Sequence, residues 1–188
     1  MNTVTAGLET GSMGVVGGGT MGVGIAYVHA AAGYSTFVAE PDDGRADTMM
    51  TTLARTAQAG VRRGKMNETQ AQALLDRIHR VTSVSQLPAG LNLVVESVPE
   101  RLALKQTVLR EIDARSPQLI ASNTSSMSID LLAQSLKDPS RFLGMHYFNP
   151  VWSLQLVELI RGEHTGEQAI AQARRFAQSL GKTTILVR

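Results

Sequence analysis

Residues 13–40 read MGVVGGGTMGVGIAYVHAAAGYSTFVAE, and this stretch decides the fold. Met13 to Val16 is a short apolar run of the buried-strand type. From Thr20 to Ala32 small and apolar residues give a close-packing helix, and Gly33 stands where a helix stops. Ser35 to Ala39 is a second strand, so the unit is strand, turn, helix, strand, the local mark of a parallel sheet. Gly17, Gly19 and Gly22 form G-x-G-x-x-G between the first strand and the helix. The first glycine permits the tight turn, the second lets a pyrophosphate approach the backbone, and the third lets helix and strand pack closely. The helix N-terminus adds free amides and the positive end of a dipole. Three glycines alone are weak evidence, since a ligand-free turn would carry them too. Glu40 strengthens the reading, because an acid at the end of the second strand accepts hydrogen bonds from the adenosine ribose. A carboxylate there repels a 2′-phosphate, and no arginine follows before Arg45, so NAD is expected over NADP.

The alternation of strand and helix continues. Asp42 to about Val81 reads as helical in two blocks, the second opening with Asn67 as N-cap and Gln70 three residues on. LNLVVES (91–97) reads as a strand, ERLALKQTVLREIDARS (100–116) as an amphipathic helix, and QLIASNTSS (118–126) as a strand running into a polar turn. A short helix, the strand RFLGMHYFNP (141–150), the helix GEQAIAQARRFAQSLG (166–181) and the apolar strand TTILVR follow. The expected class is α/β, a Rossmann-like doubly wound, mostly parallel sheet with helices on both faces. Residues 1–12 read as a leader and 13–188 as the folded domain.

Composition narrows the function. The chain has 188 residues, 43% hydrophobic and 18% charged, with a net charge of +2. That is enough apolar material for a core, and it lacks the dense basic field that nucleic-acid binding requires. The apolar runs are too short and too broken to span a bilayer. Without cysteine there are no disulfides and no thiolate chemistry. A cytoplasmic protein with no nucleic-acid or membrane partner is expected.

In MHYFNPVWSLQLVE (145–158), His146 and Glu158 bracket an otherwise apolar run. On this stretch alone a satisfied core histidine and a surface glutamate compete with catalysis. The two meet if the chain reverses at Asn149-Pro150 and a second strand returns. A histidine so placed could take a hydroxyl proton near neutral pH, with the carboxylate fixing its tautomer. His29, His79 and His164 read as structural: one inside the first helix, one on a polar helix end and one in a turn. No metal-ligand spacing occurs, and none is expected.

GGGTMGVGIA, VVESVPERLALK, SNTSSMSI and GMHYFNPVWSLQLVE, in this order, resemble the NAD-binding domain of L-3-hydroxyacyl-CoA dehydrogenases, from about Met13 to about Lys182. The resemblance implies NAD-dependent oxidation of (S)-3-hydroxyacyl-CoA to 3-oxoacyl-CoA, as in fatty-acid metabolism. It implies His146 as catalytic base, Glu158 as its paired acid, and Ser125 touching substrate and cofactor. Gly17, Gly19, Thr20, Met21, Gly22, Glu40, Glu100, Lys105, Ser125 and Asn149 are implied on the cofactor side. Thr56 and Arg63 are implied as coenzyme A contacts. The turn RRGK (62–65) has two readings, a phosphate contact or an ordinary helix C-terminus.

Glu40 stands where the family usually has aspartate, and Trp152 where proline is common. In the family a catalytic asparagine and an all-helical domain follow the point where this chain ends. The resemblance therefore implies an isolated cofactor domain, poorly active alone, whose parent enzyme is a homodimer through that second domain. Two other readings stand beside it: a related dehydrogenase of a free hydroxy acid or carnitine-like substrate, and a non-catalytic NAD-binding module.

Overall fold

The computed structural model describes residues 11–187. Eight strands form one sheet: β1 Ser12–Val16, β2 Ser35–Ala39, β3 Ile78–Val81, β4 Leu93–Glu96, β5 Ile120–Ser122, β6 Phe142–Tyr147, β7 Leu156–Ile160 and β8 Thr183–Val187. Their order is β3-β2-β1-β4-β5-β6-β7-β8. Every neighbouring pair is parallel except β6 and β7, which run antiparallel. The helices are α1 Thr20–Ala31, α2 Asp43–Arg62, α3 Glu68–Asp76, α4 Leu102–Asp113, α5 Ile129–Ala133 and α6 Glu167–Ser179. This is the doubly wound α/β architecture expected from the sequence.

Two cores follow from the period-two alternation of strand side chains. On one face Met13, Val15, Val95, Ala121, Leu143, Met145 and Val157 pack with α1, α2, α3 and α6. On the other, Val16, Val94, Ile120 and Phe142 pack against α4 and α5. The central strands β1, β4, β5 and β6 are buried on both sides and therefore read as near-continuous apolar runs.

Two boundaries differ from the sequence reading. The leader assigned to residues 1–12 lies outside the described residues except at its end, where Ser12 belongs to β1. Ser12 is held there because its N–H donates to Asn92 Oδ1 (2.8 Å) and its carbonyl accepts from the Asn92 N–H (2.9 Å). The second correction is larger: the helix expected to continue to about Val81 ends at Asp76, and Ile78–Val81 is an edge strand paired with β2. Ile78 continues the apolar spacing of Leu74 and Leu75, so period alone favours helix. The ladder to β2 overrides it, with the Thr36 N–H donating to the Arg77 carbonyl (2.8 Å) and the Glu40 N–H to that of Val81 (3.0 Å). His79 thus sits on a strand, not a helix end. The Asn67–Gln70 capping box forms as expected.

Candidate active site

Strand order reverses between β1 and β4, and ligands of open sheets bind outside the carboxyl ends of the strands at such a point. There the chain forms a cleft of about 970 Å³. Gly17, Gly19, Thr20 and Met21 line one side, Ser97, Val98 and Glu100 the next, and Asn123, Ser125, His146 and Asn149 the far end. Glu40 and Arg45 line the opposite end.

The glycines differ in what requires them. Gly17 has φ +104°, and a Cβ would come within 2.7 Å of the Ser97 carbonyl oxygen. A Cβ on Gly22 would fall on the Gly17 carbonyl, so the third glycine is needed for packing and does not line the cleft. Gly19 has φ −73° and ψ −175°, which any residue adopts, and a Cβ there would meet no protein atom within 4 Å. Its missing side chain leaves room in the cleft at the mouth of α1, where a pyrophosphate would lie against the free amides. Glu40 is buried; its Oε2 accepts the Gly18 N–H (3.0 Å) and its Oε1 the Asp42 N–H (2.9 Å) and Arg45 Nε (3.1 Å). Burial alone pushes its carboxyl up, but the Arg45 guanidinium and the two backbone donors outweigh this and hold it below the usual carboxylate range.

At the far end, the β6–β7 register sets His146 directly opposite Glu158. Nδ1 of His146 lies 2.8 Å from Glu158 Oε2, and both side chains are partly buried. A carboxylate only accepts, so Nδ1 is the donor, and in the neutral ring Nε2 then carries the lone pair. Phe148 packs on the imidazole with ring centroids 4.5 Å apart. Glu158 stands behind His146 and does not line the cleft.

Between these ends runs a polar network anchored in the core. Glu96, fully buried, accepts from Ser122 Oγ (2.6 Å), the Val98 N–H (2.7 Å) and Lys105 Nζ (2.8 Å). Lys105 is 1% exposed and also reaches the Val98 carbonyl (3.0 Å) and Glu100 (3.3 Å). Glu100 in turn accepts from the Thr124 hydroxyl (2.9 Å) and the Ser125 N–H (2.9 Å), gripping the turn that presents Ser125. Burial works to raise the Glu100 carboxyl, yet these donors and Lys105 hold it below its ordinary value. Asn123 Oδ1 accepts the Tyr147 N–H (2.9 Å), tying this turn to β6.

Thr56 and Arg63 stand apart from the cleft lining. Thr56 donates to the Thr52 carbonyl (2.8 Å) on α2, and Arg63 caps that helix ahead of Gly64, which has φ +66°. The RRGK turn thus ends α2 with Arg63 as its C-cap. Glu96, Ser122 and Asn123 escaped the sequence reading as site residues. The available signal was Glu96 itself, an acid closing the apolar strand LVVE.

Sheet, loop and cleft together define a dinucleotide-binding domain of the Rossmann type. The model of the 3-hydroxyacyl-CoA dehydrogenase NAD-binding domain matches residues 12–188, and the chain belongs to this family. Its cofactor is NAD. The fold is similar to that of 3-hydroxybutyryl-CoA dehydrogenase from Escherichia coli K12, at 31% identity and TM-score 0.90, covering 95% of this chain and 38% of that one. It is similar also to (S)-3-hydroxybutyryl-CoA dehydrogenase from Ralstonia eutropha, at 36% identity and TM-score 0.89, covering 95% and 63%. A third relative is 5-formyl-3-hydroxy-2-methylpyridine 4-carboxylic acid 5-dehydrogenase, described as an NAD+-dependent dismutase, at 27% identity and TM-score 0.82, covering 94% and 57%. The chain thus spans 38% and 63% of the length of the two hydroxybutyryl-CoA enzymes.

Proposed function

We propose that this chain is the cofactor domain of an enzyme oxidising (S)-3-hydroxyacyl-CoA to 3-oxoacyl-CoA with NAD. The observation that carries the reading is the 2.8 Å His146–Glu158 pair, with His146 opening onto the same cleft as the glycine loop. His146 Nε2, without a hydrogen-bond partner among the described residues, takes the proton of the substrate 3-hydroxyl. Bound NAD supplies the hydride acceptor. Glu158 holds the ring and stabilises the imidazolium that forms, the orienting role of an acid behind a histidine. Ser125 presents its hydroxyl to substrate and cofactor from a turn clamped by Glu100, and Asn149 faces the same end of the cleft. The second substrate wall and the homodimer contact belong, in this reading, to a helical domain of the parent enzyme.

The test is NADH consumption by the parent enzyme with acetoacetyl-CoA against free acetoacetate. A strong thioester preference supports the reading, and equal rates or none with the thioester refute it. A second reading, a dehydrogenase of a small free acid, is favoured by two observations. The pyridine-carboxylate dehydrogenase is among the relatives, and Thr56 and Arg63 lie away from the cleft lining. Under it, replacing Arg62, Arg63 and Lys65 leaves the substrate KM unchanged. A purely cofactor-binding module is separated by His146→Ala, which then has no rate to abolish.

A further inference from the structure

The connection from β6 to β7 runs from Phe148 to Gln155. A two-residue hairpin loop fixes the register of its strands by itself, and a connection of this length does not. Yet the β6–β7 register is what sets His146 opposite Glu158. Within the turn the N–H groups of Ser153 and Leu154 both donate to the Pro150 carbonyl (3.0 Å each). The carbonyls of Val151 and Leu154 both accept from one donor, Lys182 Nζ, at 2.7 Å each.

Lys182 is 8% exposed, and the end of α6 aims it. The Gly181 N–H donates to the Gln178 carbonyl and the Lys182 N–H to that of Ala177 (2.9 Å each), with Gly181 at φ +70°. These are the two bonds of a Schellman motif. The next residue, Thr183, opens β8 and donates its N–H to the Gln155 carbonyl (2.8 Å), so Lys182 and Thr183 together grip three carbonyls of the turn. Among the described residues the ammonium has no carboxylate partner, and burial pushes it below its ordinary pKa. A buried cation held by carbonyl dipoles alone is costly where an apolar side chain would pack freely, so core stability does not explain it. On its other side the turn is seated on α1. Val151 is 1% exposed and fills the space left by Gly24, where a Cβ would come within 2.7 Å of its Cγ2. Trp152 meets the Tyr27 ring edge-on, with centroids 5.8 Å apart.

We propose that Lys182 is a positioning residue for the chemistry: by tying the Val151 and Leu154 carbonyls to the start of β8, its ammonium keeps Glu158 in register behind His146. The proposal rests on the catalytic reading of that pair. The experiment compares the wild type, Lys182→Met, Glu158→Gln and the double variant. In the 188-residue chain, near-ultraviolet circular dichroism reads Trp152, the sole tryptophan, and Lys182→Met is expected to weaken its band. In the parent enzyme, with whichever of acetoacetyl-CoA and acetoacetate it turns over, Lys182→Met should lower kcat by about ten- to hundredfold, the scale of a misplacement of about 1 Å. KM for NAD, whose loop lies between β1 and α1, should change by less than about threefold. Because Lys182 acts through Glu158, the double variant should lose no more than about threefold beyond Glu158→Gln alone. Independent losses that multiply in the double variant overturn the proposal, as does an unchanged Trp152 band or an unchanged kcat in Lys182→Met. If Lys182→Met does not fold, Lys182→Gln, which keeps a neutral donor, is carried through the same cycle and judged by the same outcomes. A wild-type parent that turns over neither compound refutes the catalytic reading itself, and the proposal falls with it.

Discussion

Replacing Gly19 by alanine separates what the protein needs from what the ligand needs. The backbone at Gly19 is ordinary and a Cβ meets nothing within 4 Å, so the fold imposes no steric cost. Gly19 is the N-cap of α1, where alanine is worse than glycine by about 0.5–1 kcal/mol. Restricting the unfolded chain returns about 0.4–1 kcal/mol. The net change in stability should be within about 1 kcal/mol, or ~2–4 °C in Tm for a chain of this size. The methyl, however, stands where the pyrophosphate approaches the amides. Lost contact and displacement should cost about 1.4–2.8 kcal/mol, a ten- to hundredfold rise in the Kd for NAD. Thermal melts and calorimetric titration of the same preparation give both numbers. Gly22→Ala is the counterpart: its Cβ falls on the Gly17 carbonyl, so loss of stability should exceed about 3 kcal/mol. Gly19→Ala binding NAD as tightly as the wild type would refute the placement of the pyrophosphate at this loop.

In the parent enzyme, His146→Ala should lower kcat by about 10²–10⁴ while NAD affinity stays within about twofold. Glu158→Gln should also lower kcat, through loss of ring orientation; unchanged turnover in either variant removes the pair from the chemistry. Lys105→Met strips a buried partner from Glu96 and should cost about 3–5 kcal/mol, nearer the low end because Ser122 and Val98 still donate to the carboxylate. Adding Glu96→Gln should restore part of that in urea unfolding, and strictly additive losses would show the pair to be uncoupled. His29 is fully buried, and burial, with the charge of Lys182 adding to it, pushes its pKa down to about 3. The unfolded chain therefore takes up this proton first. The His29 contribution is intact above about pH 6.5 and is lost as pH falls toward 3, by up to about 1.4 kcal/mol per pH unit. Urea midpoints at pH 7 and pH 5 should fall less for His29→Gln than for the wild type, and equal falls would show that His29 titrates normally.

Most of the fold could be read from the chain because each buried strand is short, apolar and bounded by turn residues, α2, α4 and α6 each carry an apolar stripe, and α1 is small and apolar throughout. The exception, Ile78–Val81, fails for a physical reason. Four residues at a sheet edge carry too little pattern to outweigh the helix before them, and what makes them a strand is bonding to β2. The same limit applies to the site. His146 and Glu158 could be found because an Asn-Pro reversal between two apolar runs forecasts a hairpin. The pair Glu96 and Ser122 could not, because the two are 26 residues apart and meet only across neighbouring strands. Arg45 shows the same limit: it stands five residues from Glu40 along the chain, and only the entry of α2 folds its guanidinium back onto that carboxylate.

The placement of the polar groups follows from strand period and register. Glu96 pairs with Ser122, and Ser122 with Gly144, across β4, β5 and β6. His146 lies two residues beyond Gly144 and so falls on the same face, and Glu158 is its cross-strand partner. A line of polar side chains thus crosses the sheet on the α4 and α5 side. The residues that alternate with it, Val95, Ala121, Met145, Tyr147, Val157 and Leu159, all lie in the opposite core. Gly144 interrupts the polar line because Ile160 and Ile129 close over it, leaving a Cβ only 2.8 and 2.9 Å from them. A shift of one residue in the β5–β6 register would turn His146 into that apolar core and bring Met145 to the cleft side. Such a shift is opposed by every apolar residue of β6 at once, so the packing of one face fixes the geometry of the chemistry on the other.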